Sequence, residues 1–139
     1  MSNIMAAIGR VKYARAEELV AKRQLLARRY VEILDRNDKA RPFFNGFYDQ
    51  SSSHISCFLS AHTTKGKLRD ALKLQVIETG IHCNPNHSLS FCKQANRTPF
   101  PFWEKVLPNL LALPIHNDLE LIGVDFVINT LNKPKRKIR

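Results

Sequence analysis

Glycine is scarce in this chain, and it is scattered. Only five glycines occur in 139 residues, and no two stand close enough to build a phosphate-cradling loop or a dinucleotide fingerprint. Cysteine is limited to three residues, Cys57, Cys83 and Cys92. An odd number without framework spacing excludes a disulfide-stapled scaffold and fits a reducing compartment, the cytoplasm. No apolar run approaches the roughly 18 residues that a membrane span requires. The N-terminus lacks the charged and apolar blocks of a signal peptide, so neither secretion nor a membrane location is expected.

What is present is a globular composition, 44% apolar and 9% aromatic, at a length that suits one domain. The formal charge is +10, but it is unevenly placed. Residues 1–41 hold ten Lys/Arg against five Asp/Glu, residues 42–132 hold seven of each, and the tail 133–139 holds five Lys/Arg and no acid. A neutral body flanked by a basic helix and a basic tail makes nucleic acid an unlikely partner. A non-catalytic basic module for nucleic acid or an acidic protein is the alternative reading.

Periodicity supplies the elements. An apolar stripe begins at once, with Ile4, Ile8 and Val11 at i, i+4, i+7, and Leu19, Leu26, Tyr30 and Ile33 continue it. Residues 2–35 therefore read as one long helix or two collinear ones, about 50 Å in length. Glu18 is placed to pair with Lys22 at i+4, and Pro42 closes the helical region. From His54 to Ala61 residues alternate, with Ile55, Cys57, Leu59 and Ala61 on one face and His54, Ser56, Phe58 and Ser60 on the other. Thr63 or Thr64 caps a helix over 65–76 striped by Leu68, Leu72 and Val76. A short strand is expected over 79–83, then a proline-rich loop over 84–101.

A helix over 102–111 is expected to kink or restart at Pro108. The last helix, 120–132, is striped by Val124, Val127, Ile128 and Leu131. The fold class is α+β: a long N-terminal helix and a small, mostly antiparallel sheet covered by helices on one side.

The densest polar cluster is His82-Cys83-Asn84-Pro85-Asn86-His87. Its two imidazoles suit substrate hydrogen bonding or acid–base work, or they are loop histidines with local backbone partners. His54, at the head of the alternating strand, is either a third site residue or a polar strand end. The spacing of His82, Cys83, His87 and Cys92 does not suit structural zinc, so no metal is expected. No serine or cysteine is marked as an activated nucleophile, so no catalytic residue is assigned.

Several segments in order resemble the C-terminal part of the DegT/StrS-type sugar-nucleotide aminotransferases. Met1-Ser2-Asn3-Ile4-Met5-Ala6-Ala7-Ile8-Gly9 is similar to the family's run at the start of its interdomain helix. His82-x-x-Pro85-x-His87, Phe100-Pro101-Phe102-Trp103-Glu104 and Leu111-Ala112-Leu113-Pro114-Ile115-His116 resemble later runs. The resemblance implies the small domain of an aspartate-aminotransferase-like fold over residues 1–132. Within it, 1–35 would be the interdomain helix and 42–132 the α+β body, with 133–139 a basic tail. It implies transfer of an amino group from glutamate to a keto-sugar nucleotide by pyridoxal phosphate, in the biosynthesis of cell-surface polysaccharides. His82 and His87, and with them His54, would line the sugar side of the pocket.

The departures are equally specific. No lysine here matches the one that forms the aldimine, so no residue is expected to bind the cofactor and the chain alone is expected to be inactive. Cys83 stands where an aromatic is usual, and Glu120 where a Ser/Thr cap is usual. A homodimer or a separate large domain is the expected partner, because the uncovered stripe on the first helix needs a cover.

Overall fold

The first helical stretch is two helices. The computed structural model describes residues 2–43, 50–61, 63–81, 86, 89–92 and 100–132. Within it α1 spans Asn3–Ala14 and α2 spans Ala16–Leu34. Ser2 caps α1 by accepting from the Met5 N–H at 3.3 Å. The break falls at Arg15, with φ −105 and ψ 12, although neither glycine nor proline stands there. Arg15 instead forks onto Glu18, donating from Nε at 3.1 Å and from Nη2 at 2.9 Å. Lys22 acts on Glu18 through its charge while its ammonium donates across to Glu120 at 3.0 Å.

The stripe meets different fates in the two helices. None of the α1 residues is buried, while α2 buries Leu26, Ala27, Tyr30 and Leu34. Three short strands, β1 (Ala40–Pro42), β2 (Ser56–Ser60) and β3 (Leu110–Leu113), form one antiparallel sheet in the order β1-β2-β3. Two of them correct the sequence reading. Pro42 does not end a helix, which stops at Leu34; it sits in edge strand β1, where a missing N–H leaves no ladder bond unmade. The expected helix over 102–111 divides into α4 (Pro101–Val106), a 3₁₀ turn over Leu107–Asn109 and then β3. Pro108 lies in that turn, and the run Leu110-Leu111-Ala112-Leu113 is buried throughout.

The alternation in β2 is real, but its inner face is the one carrying Phe58. Phe58 is 1% exposed and Ser60 is buried, whereas Ile55 is 41% exposed. Phe58 pairs with Leu111 and Ser56 with Leu113, and this face meets the helices. The core joins Leu26, Tyr30 and Leu34 of α2 to Phe58, Leu111 and Leu113 of the sheet. Val124, Val127, Ile128 and Leu131 of α5 (Leu121–Asn132) complete it, as the sequence periodicity predicts. The α+β class and the small antiparallel sheet both hold.

Helix α3 (Lys65–Lys73) is shorter than expected. Leu72 is buried and Leu68 packs on the core, but Val76 lies past the helix end at φ 60, fully out in solvent. Ile77 takes the inward position instead. The strand expected over 79–83 is represented among the described residues by one bridge, Gly80 to Ala112.

Helices α2 and α5 run parallel, and polar pairs advance along both together. Lys22 meets Glu120, Arg29 forks onto Asp125 at 2.9 and 3.1 Å, and Asn37 meets Asn132 at 2.7 Å. Gly123 weakens its helix by about 1 kcal/mol relative to alanine; a Cβ there would lie 2.7 Å from Leu119 Cδ1, the mobile end of a side chain that would have to turn away.

Candidate functional site

The loop that delivers His54 to β2 is held from α2. Arg23 Nε donates to the Ser52 carbonyl at 3.1 Å, and Gln24 Nε2 donates to the Ser51 carbonyl at 2.8 Å. The Ser51 hydroxyl in turn accepts from the Ser53 N–H at 3.1 Å. These bonds support Ser53 in a left-handed conformation, φ 47, although it is a buried non-glycine residue. Such backbone is retained where the surroundings over-determine it.

Between this loop, α2 and the sheet lies a cleft of about 410 Å³. Its wall includes Tyr30, Leu34, Ser53, Ile55 and Cys57. Tyr30 is fully buried and donates to the Pro114 carbonyl at 3.0 Å. Burial pushes its phenol well above the ordinary value of 10.0, so it is a neutral donor at any physiological pH. His54 is exposed, and the cleft wall runs through its neighbours Ser53 and Ile55.

The sheet register sets the directions in which the chain runs at His54 and at Ile81. Cys57, Ala112 and Gly80 stand level across the sheet. Both β2 and the Gly80 bridge run antiparallel to β3, hence parallel to each other. His54 precedes the Cys57 rung by three residues, about 10 Å, while Ile81 leaves the Gly80 rung in the opposite direction. His82 and His87 themselves lie outside the described residues, as does Cys83. The Gly80 bridge, with Gly80 and Ala112 exchanging bonds at 3.0 Å each way, anchors the chain to β3 just before them.

The cofactor implied by the resemblance needs an amine for its aldehyde, an acid for its ring nitrogen and donors for its phosphate. The cleft does not fit it. Its described wall is apolar and hydroxyl-bearing, without a Lys, Arg, Asp or Glu. Lys22 is engaged with Glu120, and Lys39 donates to the Asn132 carbonyl at 2.7 Å. Among the described residues no group of three His, Cys, Asp or Glu could hold a metal ion. No described helix is long and apolar enough to cross a membrane.

Sequence reasoning missed Tyr30 and Ser53 as wall residues. Tyr30 sits in an apolar stripe and reads as core, which it also is. The only signal at Ser53 is the turn-forming run Ser51-Ser52-Ser53.

The sequence pattern of the DegT/DnrJ/EryC1/StrS aminotransferase family matches residues 1–132. No curated protein matches the chain. Among solved structures it resembles Streptococcus pneumoniae Spr1654, named as a sugar aminotransferase, at 23% identity and a TM-score of 0.82, over 94% of this chain and 34% of that one. That protein is also solved in PLP and PMP forms. Helicobacter pylori PseC, an aminotransferase of pseudoaminic acid biosynthesis, aligns at 24% identity and a TM-score of 0.79, over 92% of this chain and 36% of PseC. DesI, solved in the presence of its TDP-sugar product, aligns at 17% identity and a TM-score of 0.82, over 94% and 35%. The chain thus spans about a third of the length of these structures.

Proposed function

The chain belongs to the DegT/DnrJ/EryC1/StrS aminotransferase family, and from that premise we propose that it supplies the C-terminal, substrate-side part of a sugar-nucleotide aminotransferase. The reaction served is transfer of an amino group from glutamate to a keto-sugar nucleotide, on the way to a cell-surface polysaccharide. The lysine-bearing part lies outside these 139 residues, whichever polypeptide carries it. His82 and His87 line the sugar side of the opening. His54 joins them on the sugar side of the pocket.

The observation that carries this reading is the pairing of a match over residues 1–132 with coverage of only a third of each solved relative. The cleft, whose described wall carries no charged side chain, supports the same division of labour. Covalent catalysis has no starting amine there.

The test is to mix the purified chain with pyridoxal phosphate, glutamate and keto-sugar nucleotides. We expect no aldimine absorbance band and no amino-sugar product. Either signal would overturn the claim of inactivity. Supplying a lysine-bearing large domain from a relative should create turnover, and His87→Ala should then raise KM. No turnover from a large domain that binds this chain and carries its cofactor would refute the division of labour.

A further inference from the structure

Helix α3 carries a row of like charges that the fold does not use. Lys65, Arg69 and Lys73 stand at i, i+4 and i+8, so they share one stripe about 12 Å long. Like charges at this spacing destabilise a helix. None of the three has an ion-pair or hydrogen-bond partner among the described residues. Lys67 adds a fourth cation, and Asp70 is the one acid of the helix. Leu68 and Leu72 hold α3 on the core, while Arg69 and Lys73 are exposed.

The row runs into an apolar tip. Leu74 and Val76, which follow Lys73, are 72% and 92% exposed. Hydrogen bonds fix this turn. The Val76 N–H donates to the Lys73 carbonyl at 2.9 Å, and the N–H of buried Ile77 donates to the Leu72 carbonyl at 3.0 Å. Val76 is thereby held outward at φ 60, a conformation that a β-branched residue takes only at a cost.

We propose that α3 and the turn after it dock this protein on an anionic lipid surface. Lys65, Arg69 and Lys73 meet the headgroup phosphates, and Leu74 and Val76 enter the boundary of the acyl chains. The combination of features selects the partner. A nucleic-acid backbone would answer the cations and offer the apolar pair nothing. A lipid surface presents phosphates outside and hydrocarbon just beneath, which answers both. Covering the row with another protein domain would strip water from three cations with no carboxylate of this chain in return. Docking of this kind needs no spanning helix, and none is found among the described residues.

The inference is independent of the transaminase reading. The experiment is cosedimentation of the full chain with phosphatidylcholine vesicles containing about one-third phosphatidylglycerol, against phosphatidylcholine alone. The wild type should bind the anionic vesicles, and more weakly as salt rises. Arg69→Gln with Lys73→Gln should lower that affinity about 30-fold. Arg10→Gln with Lys12→Gln makes the same change of net charge on α1, and should lower it by less than about threefold. Leu74→Ser with Val76→Gly should cost about tenfold or more. All three variants alter exposed positions, so each should keep its far-UV circular dichroism and melt cooperatively.

A wild type that ignores anionic vesicles would overturn the proposal. So would equal losses from the α3 and α1 pairs, since binding would then follow net charge alone. A Leu74→Ser, Val76→Gly chain that binds as the wild type does would reassign the row to a nucleic acid or an acidic protein. The basic tail is separated by changing the five Lys/Arg of residues 133–139 to glutamine. That chain should still bind and still respond to the α3 pair; a chain that no longer binds would place the site in the tail instead.

Discussion

Replacing Tyr30 by phenylalanine removes one oxygen from the centre of the fold. The ring is fully buried, and its hydroxyl donates to the Pro114 carbonyl at 3.0 Å, tying α2 to the residue that follows β3. The lost hydrogen bond is worth about 1 kcal/mol, and a buried carbonyl left without a donor costs about 1–3 kcal/mol. Pro114 is half-buried, so water can partly satisfy its carbonyl, and Y30F should lose about 1–2 kcal/mol.

In urea, with a slope of about 1.5 kcal/mol/M, that moves the midpoint down by about 1 M. Tyr13→Phe, at an exposed position, should change stability by less than about 0.5 kcal/mol. A second measurement uses the raised pKa. Burial holds the Tyr30 phenol protonated above its ordinary value of 10.0, so the unfolded chain releases this proton first as pH rises. The stabilisation is complete below pH 10 and declines above it, by about 1.4 kcal/mol per unit. The stability gap between wild type and Y30F should therefore shrink above pH 10. A gap that is near zero at pH 7, or constant through pH 11, would refute the argument.

Two further outcomes concern single positions. Val76 is a β-branched residue at φ 60 with its side chain in solvent. The left-handed region costs such residues about 1–2 kcal/mol, and glycine's extra unfolded-state entropy returns only part of that. V76G should thus stabilise the chain by up to about 1 kcal/mol in urea unfolding, and a destabilisation would contradict the strain. Asp125 is held below its ordinary value of 3.8, first by the hydrogen bonds from Arg29 and then by its charge. The contribution is present above that value and is lost as pH falls through the lower folded-state value. Asp125→Asn should flatten this part of the acid limb of the melting temperature; an unchanged limb would show that the pair is not felt.

Periodicity located the core helices well because their faces bury a clean stripe. Val124, Val127, Ile128 and Leu131 are buried as their spacing requires. The strands were harder for definite reasons. β3 is a four-residue apolar run that follows a helical turn, and buried at all four positions it shows no alternation to distinguish it from helix. β2 alternates visibly, but Cys57 and Leu59 on one face and Phe58 on the other are all apolar. Which face turns inward was decided by the helices packed against it. β1 is three residues long and contains a proline, so no local pattern announces it. The break at Arg15 is flanked by alanines and glutamates, all good helix formers, and is invisible to propensity.

The candidate site illustrates a different limit. Proximity in sequence gathers His82 and His87, and hydrogen-bonding chemistry adds His54, but only register says whether such residues share an end of the sheet. Cys57, Ala112 and Gly80 form one rung, and from it the chain at His54 and the chain at Ile81 diverge. Among the described residues, the outward positions Ile122 and Phe126 of α5 and the cleft wall share one character: they offer apolar surface without a cation, so burial against another surface would cost them no charge desolvation.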